Sequence, residues 1–195
     1  MNDQPFISQD VKVRPQITPN PRAIKFITNK TIKSDGKATF NFPEEAEQHL
    51  LFYDIFLIDG VRQVYAFQNT VTVSHDGTVL VDDFKNEVTE VLKARLPDHD
   101  PDFLTPEEEN SKKPKDRSHL SAEMQEIEAI LDRTVRPGLQ ADGGDLDVID
   151  YQDNILKISY QGACGTCPSS FMGTLQAIEG ILQNEFNPDI RVYPE

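Results

Sequence analysis

The chain has 195 residues, 37% of them hydrophobic, and carries a formal net charge of −14 from 33 acidic and 19 basic side chains. A polyanion of this kind is excluded from general binding to nucleic acid or anionic membrane surfaces, both of which require clustered Lys and Arg. No apolar run approaches the roughly 20 residues of a membrane span, and the length suits two small domains with exposed connecting segments.

Taken in chain order, the polar, Pro-containing stretch 1–19 is expected to be a disordered tail. A first domain then fills 20–97. Ala23–Thr28 (AIKFIT) has the composition of a strand, and Thr39–Phe42 predicts a second, with Pro43 and two glutamates marking a helix entry. The dense apolar run Leu50–Ile58 is assigned to helix, ending near Asp59–Gly60. Val61–Phe67 and Thr70–Ser74 form a predicted hairpin broken at Gln68–Asn69, and Thr78–Val81 is expected to extend the sheet. Asp82 reads as an N-cap, followed by Phe84, Val88, Val91 and Leu92 on one helical face, with Pro97 closing the helix.

The segment 98–119 (DHDPDFLTPEEENSKKPKDRSH) is expected to be a charged flexible linker, because it holds too little apolar surface to offset its ordering entropy. A second domain at 120–195 begins with Ser121 as N-cap and Met124, Ile127, Leu131 and Val135 at helical spacing, stopped by Pro137–Gly138. The stretch QADGGD is a turn-rich approach to two strands, Leu146–Tyr151 and Ile155–Tyr160, joined by Gln152–Asn154. Phe171, Leu175, Ile178 and Leu182 line a second helix, broken at Asn187–Pro188, and Ile190–Tyr193 is a last strand. The fold class expected is α+β, two small α/β sandwiches with a flexible linker, the C-terminal one α-β-β-α-β. Acidic and basic residues number 13 and 11 over 1–97, 7 and 4 over 98–119, and 13 and 4 over 120–195, so the negative balance lies mostly on the second domain.

Chemistry concentrates at Cys164 and Cys167, the only two cysteines, in QGACGTCPSS between a strand and a helix. The N-terminal MNDQPFISQD has neither a basic n-region with an apolar h-region nor the Arg-rich, acid-free character of a transit peptide. A cytoplasmic location is therefore expected, where thiols stay reduced and a Cys-x-x-Cys points to metal binding or catalysis. Gly162 and Gly165 let the backbone curl closely around an object, and Pro168 suits the first turn of the following helix. Cys167 would then lie at a helix N-terminus, where free amides and the macrodipole favour a thiolate.

Thiol–disulfide exchange is one reading of this motif. A thioredoxin-like fold places further strands and helices after it, whereas the 28 residues after Cys167 predict one helix and one strand. A buried, inert pair is a second, disfavoured by the spacing, the flanking glycines and the helix entry, and a metal site is the third. Two thiolates leave a tetrahedral ion half-ligated, and His49, His75, His99 and His119 all precede the second domain. A homodimer setting two motifs face to face supplies four thiolates, which satisfies zinc or an iron–sulfur cubane alike. Asp142, Asp145 and Asp147 lack the spacing and closing Glu of a calcium loop and read as a turn. The aromatic run Phe52–Phe56 reads as core, and no phosphate loop or Ser/His/Asp arrangement is visible.

The segments RPGLQADGGDLDV and GACGTCPSSFMGTLQAIEGIL resemble the C-terminal NifU domain of Nfu iron–sulfur scaffold and carrier proteins, and TPNPRAIKFITNK with FYDIFLIDGVRQVYAFQNTVTVSHDG resembles the Nfu N-terminal domain. The resemblance implies that Cys164 and Cys167 bind a labile 4Fe–4S cluster shared between two subunits. It implies a carrier rather than an enzyme, a homodimer when loaded, and exchange with an upstream assembly scaffold and apo iron–sulfur recipients. No nucleic-acid or membrane partner is expected. One departure is GTL at Gly173–Leu175, where many members carry a lysine; its loss bears on partner docking more than on cluster binding. A dithiol oxidoreductase and a structural zinc-bridged dimer stand as the alternatives.

Overall fold

The computed structural model describes residues 10–105, 121–163 and 171–194. Its described residues form two sheets, each with helices on one face, and the α+β expectation holds.

The first sheet is antiparallel throughout, in the order β1 (Val13–Ile17), β2 (Ala23–Thr28), β5 (Thr70–His75), β4 (Val61–Gln68), β3 (Lys33–Phe40). Strict alternation sends Ile24, Phe26, Val64, Ala66, Val71 and Val73 to one face. There α1 (Leu50–Phe56) buries Leu51, Phe52 and Ile55, and α2 (Val81–Arg95) buries Phe84, Val88 and Leu92. Each such side chain contributes about 1.5–3 kcal/mol by leaving water. The opposite face carries Lys25, Tyr65, Thr72 and Ser74, and these too are buried.

The second sheet, in the order β6 (Gly144–Gln152), β7 (Ile155–Gly162), β8 (Arg191–Pro194), is an antiparallel hairpin with a parallel third strand. Asp153 and Asn154 turn the hairpin at φ +50° and +63°, the conformation that a tight two-residue connection demands. Helix α3 (Ala122–Thr134) and helix α5 (Phe171–Glu185) cover one face. Its core holds Ile127, Leu131, Leu146, Leu156, Ile158, Ile178 and Leu182. Ser121 caps α3 as expected, its Oγ accepting from the Met124 amide at 3.2 Å.

Several expectations give way. Residues 13–17, placed in a disordered tail, form edge strand β1, paired from Val13 opposite Thr28 to Ile17 opposite Ile24. Four of its five side chains are exposed, so its stabilisation comes from backbone pairing that leaves no apolar pattern, and Pro15 is tolerated on an edge. Thr78–Val81 adds no strand; Asp76 instead takes the Thr78 amide and hydroxyl at 2.9 and 2.7 Å in a turn. Helix α2 starts at Val81, so Asp82 lies in its first turn, where the macrodipole favours a carboxylate, and caps nothing.

The linker reading fails over 98–105. His99 Nε2 stands 2.7 Å from the Ile32 carbonyl, and Phe103 is buried in the first core. Pro137, expected to stop a helix, starts one: α4 (Arg136–Ala141) follows α3 with Pro in its first turn. The C-terminal order is therefore α-α-β-β-α-β.

Candidate functional site

Cys164 and Cys167 lie outside the described residues, as does the span 164–170 around them. What the structure describes is the root from which that segment departs, Gly162–Ala163 at the end of β7, and everything packed against it.

The root is built from two glycines. Gly143, at the end of α4, has φ +85°, and Gly162 has φ +63°. Gly144 pairs opposite Gly162, and the Ala163 amide donates to the Gly143 carbonyl at 3.1 Å. A Cβ on Gly162 would stand 2.6 Å from the Gly143 oxygen and 3.0 Å from Tyr65 Cγ; one on Gly143 would stand 2.7 Å from Thr72 Oγ1. The ADGGD turn and the residue before Cys164 are thus one backbone unit, and it is flush against the first domain's sheet. Both residues must be Gly because the left-handed conformation and the missing side chain are needed together.

Side chains of the first domain hold this unit. Asn20 Nδ2 donates to the Ala163 carbonyl at 2.9 Å, and Gln63 Oε1 accepts from the Gly162 amide at 2.8 Å. Asn20 is itself fixed in the β1–β2 turn, its amide bonded to Thr18 Oγ1 and its Oδ1 to the Arg22 amide. Lys25 Nζ donates to the Ala141 carbonyl at the C-terminus of α4, where a cation meets the negative end of the helix. Lys37 Nζ lies 2.7 Å from Asp147 Oδ1, 3.4 Å from Asp145 Oδ2 and 3.4 Å from the Leu146 carbonyl.

Beneath the root, Arg136 is buried among acids. Its guanidinium donates to Glu128 Oε2 at 2.7 Å and to Asp132, and its Nε is 3.5 Å from Asp145 Oδ1. Burial alone would lower the Arg136 pKa. The bond and charge of Glu128, then those of Asp132, outweigh it and raise the pKa above its ordinary value. Asp145 also accepts from Gln140 Nε2 and from the Leu146 amide. Asp145 and Asp147 of ADGGDLDV are therefore committed to Arg136 and Lys37. Among the described residues no group of three or more His, Cys, Asp or Glu side chains is placed to hold a metal ion. Thr72 Oγ1, Ser74 Oγ and Gln161 Oε1 are buried with no hydrogen-bond partner among the described residues.

Sequence reasoning singled out the glycines but missed Asn20, Lys25, Lys37, Gln63 and Arg136. The available signal was the polar set Lys25, Thr72, Ser74 alternating with apolar residues in AIKFIT and TVTVS. Alternation marks a second face without saying whether water or protein covers it.

A NifU-like domain model matches residues 127–193, and a model for the N-terminal region of scaffold protein Nfu/NifU matches residues 13–99. "NifU-like protein 5, mitochondrial" of Arabidopsis thaliana is 31% identical, over 88% of this chain and 63% of its own length. "NFU1 iron-sulfur cluster scaffold homolog, mitochondrial" is 28% identical in Homo sapiens, over 88% of this chain and 66% of that one. The protein of that name in Drosophila virilis is also 28% identical, over 88% and 57%. A solution structure of a NifU-like protein from Saccharomyces cerevisiae aligns with TM-score 0.41 and 22% identity, over 50% of this chain and 84% of that one. The chain thus spans about three-fifths of the length of these curated relatives. These relatives are named as mitochondrial proteins, and that overturns the cytoplasmic expectation. The first residues of a chain that matches only part of its relatives are no ground for reading a compartment.

Proposed function

The chain belongs to the Nfu family, with an Nfu N-terminal domain followed by a NifU-like domain, and from that premise we propose that it is a scaffold and carrier for iron–sulfur clusters. The cluster is its cargo, a 4Fe–4S unit held by Cys164 and Cys167 of each of two subunits. The reading is supported by the names of the relatives, which include iron–sulfur cluster scaffolds. The observation that carries it is the construction of the root: two left-handed glycines and the Ala163–Gly143 bond fix the strand end directly before the first cysteine.

In this reading the protein is not an enzyme. A thiol of the apo-recipient deprotonates, its thiolate binds one iron and displaces one carrier thiolate, and the released thiolate takes up a proton. Four such exchanges move the cluster with its oxidation state unchanged. An upstream assembly scaffold delivers by the same exchange in reverse, and the N-terminal domain recognises recipients. A thiolate at a helix N-terminus leaves readily because amides and macrodipole stabilise it once free.

The test is anaerobic reconstitution of the full chain. About four iron and four sulfide per dimer are expected, the content of one cubane, with a visible absorption band lost in both Cys164→Ser and Cys167→Ser. A colourless dimer holding only zinc establishes the structural zinc module instead. A monomer that turns over disulfide substrates establishes the dithiol oxidoreductase.

A further inference from the structure

Four Asp-Gly pairs occur in the chain: Asp35–Gly36, Asp59–Gly60, Asp76–Gly77 and Asp142–Gly143. In such a pair the glycine amide nitrogen can attack the aspartate side-chain carbonyl carbon, because no Cβ crowds that nitrogen. The fold treats the four pairs differently. Asp76 is occupied by the Thr78 amide and hydroxyl, and the Gly77 amide donates to His75 Nδ1. The Gly143 amide donates to the Gln140 carbonyl. Gly60 is pinned just before β4: its carbonyl accepts from the Asp76 amide, and a Cβ there would stand 2.5 Å from Val79 Cγ1. Among the described residues, Asp35 alone of the four aspartates accepts from its own following glycine amide, at 2.9 Å. The backbone around it has room to follow. Lys33 pairs opposite Gln68 and Lys37 opposite Phe67, so residues 34–36 have no place in the ladder. Strand β3 is an edge, Asp35 is exposed, and Gly36 has φ +67°. A bulge of this kind can reshape without breaking ladder bonds.

We propose that Asp35–Gly36 is a site of spontaneous isoaspartate formation, selected over the other three pairs by the fold. When the Asp35 carboxyl is protonated, the Gly36 nitrogen bonds to Asp35 Cγ and gives up its proton, and one carboxyl oxygen leaves as water. The product is a cyclic succinimide. Water then opens either of its carbonyls, restoring aspartate or leaving the main chain running through Cβ and Cγ. Nothing is oxidised or reduced, and water is the only other reactant. The isomer carries a free α-carboxylate and an extra backbone methylene, the substrate class of carboxyl methyltransferases that act on isoaspartate. Its position gives it a consequence. The bulge lies between two anchored lysines: Lys33 Nζ donates to the Phe103 carbonyl at 2.7 Å, and Lys37 Nζ lies 2.7 Å from Asp147 Oδ1. A methylene added between them displaces one anchor relative to the other. Lys33 is 3% exposed, whereas the Lys37 side chain is 16% exposed and its partner Asp147 43%. Lys37, which reaches the second domain, is therefore the anchor that gives way, and isomerisation loosens the contact between the domains.

The experiment incubates the full chain in heavy-oxygen water, once folded and once in urea, and maps it by mass spectrometry. Each passage through the succinimide leaves a heavy oxygen on that aspartate, whichever isomer forms. In the folded chain, uptake at Asp35 is expected to be about tenfold faster than at each of Asp59, Asp76 and Asp142, the factor that about 1.4 kcal/mol of barrier produces. In urea the four rates converge. Asp35→Glu, whose longer side chain closes a ring far less readily, abolishes uptake at that position. An isoaspartate methyltransferase then labels the aged wild type at residue 35 and leaves residue 35 of the variant unlabelled. In the labelled fraction Lys37 is acetylated faster by acetic anhydride than in fresh protein. Uptake at Asp35 no faster than at the other three in the folded chain, or the same preference for Asp35 in urea, overturns selection by the fold. Unchanged acetylation of Lys37 overturns the loosened contact.

Discussion

At the residue scale, Arg136 shows how much of the second domain depends on one buried charge. Its side chain is 8% exposed, Glu128 is 9% and Asp145 4%, and the guanidinium spans all three elements that converge on the root: α3, α4 and β6. Removing one member of a buried ionic cluster leaves the other charges desolvated without compensation, at a cost of about 3–5 kcal/mol. Arg136→Met is therefore expected to destabilise the second domain by that amount, read by urea denaturation and by faster amide exchange along β6 and β7. Arg133, paired with Glu185 at 58% and 37% exposure, is the contrast. Arg133→Met is expected to cost no more than about 1 kcal/mol, because water already screens an exposed pair. Equal losses in the two variants defeat the assignment of Arg136 as the organising charge. The sequence RTVRPG gives no hint of which arginine is which, since burial is decided by where α4 turns, and the proline that reads as a stop lies in the first turn of α4.

At the scale of elements, the clearest case is the segment after α2. Phe103 falls in a stretch whose composition reads as a charged tether, yet its ring lies 5.3 Å from Phe52, 4.6 Å from His49 and 5.6 Å from His99 between centroids. Lys33 Nζ sits 4.7 Å over the same ring and donates to the Phe103 carbonyl at 2.7 Å. Phe103→Ala is expected to destabilise the first domain by about 3–5 kcal/mol, the usual cost of emptying an aromatic core site, measured by thermal or urea unfolding. A loss within about 0.5 kcal/mol, typical of a surface change, returns the residue to the tether. The elements that were legible in sequence share one property: their own side chains are buried in a regular period. Ala23–Thr28, the hairpin around Gln68 and the faces of α2 and α3 are of this kind. Strand β1 and Phe103 are not, because one is held by backbone pairing at an edge and the other is a single anchor in a polar stretch. The candidate site divides the same way. The glycines and the motif are local features of the chain, whereas Asn20, Gln63 and Lys37 belong to the site only through a contact more than 95 residues away in sequence.

At the scale of the whole molecule, the uneven distribution of histidine makes the two domains answer pH differently. His75 and His99 lie in the first domain, and from residue 120 onward there is no histidine. Burial pushes the His75 pKa below its ordinary value, with Asp76 opposing and Arg22 assisting. Its Nδ1 accepts from the Gly77 amide at 3.1 Å, a bond that a proton on that nitrogen would break, and its ring packs on Phe84. Burial likewise lowers the His99 pKa, against the raising effects of the Ile32 carbonyl and Asp100, between the rings of Phe52 and Phe103. For both residues the folded state binds fewer protons than the unfolded chain between the lowered pKa and the unfolded value near 6.5. Their contribution to stability is therefore complete above the unfolded pKa, is lost as pH falls through it, and stops declining below the folded pKa. Between about pH 7.5 and 5.5 the unfolding transition of the first domain is expected to move to lower temperature, while that of the second holds nearly constant until its carboxylates titrate. His75→Asn, which keeps an acceptor near the Gly77 amide but cannot charge, flattens part of that slope. Thermal unfolding across this range, with amide exchange reporting β5 and β7 separately, decides the matter. A parallel fall in both domains, or an unchanged slope in the variant, shows that the buried histidines do not set the acid limit.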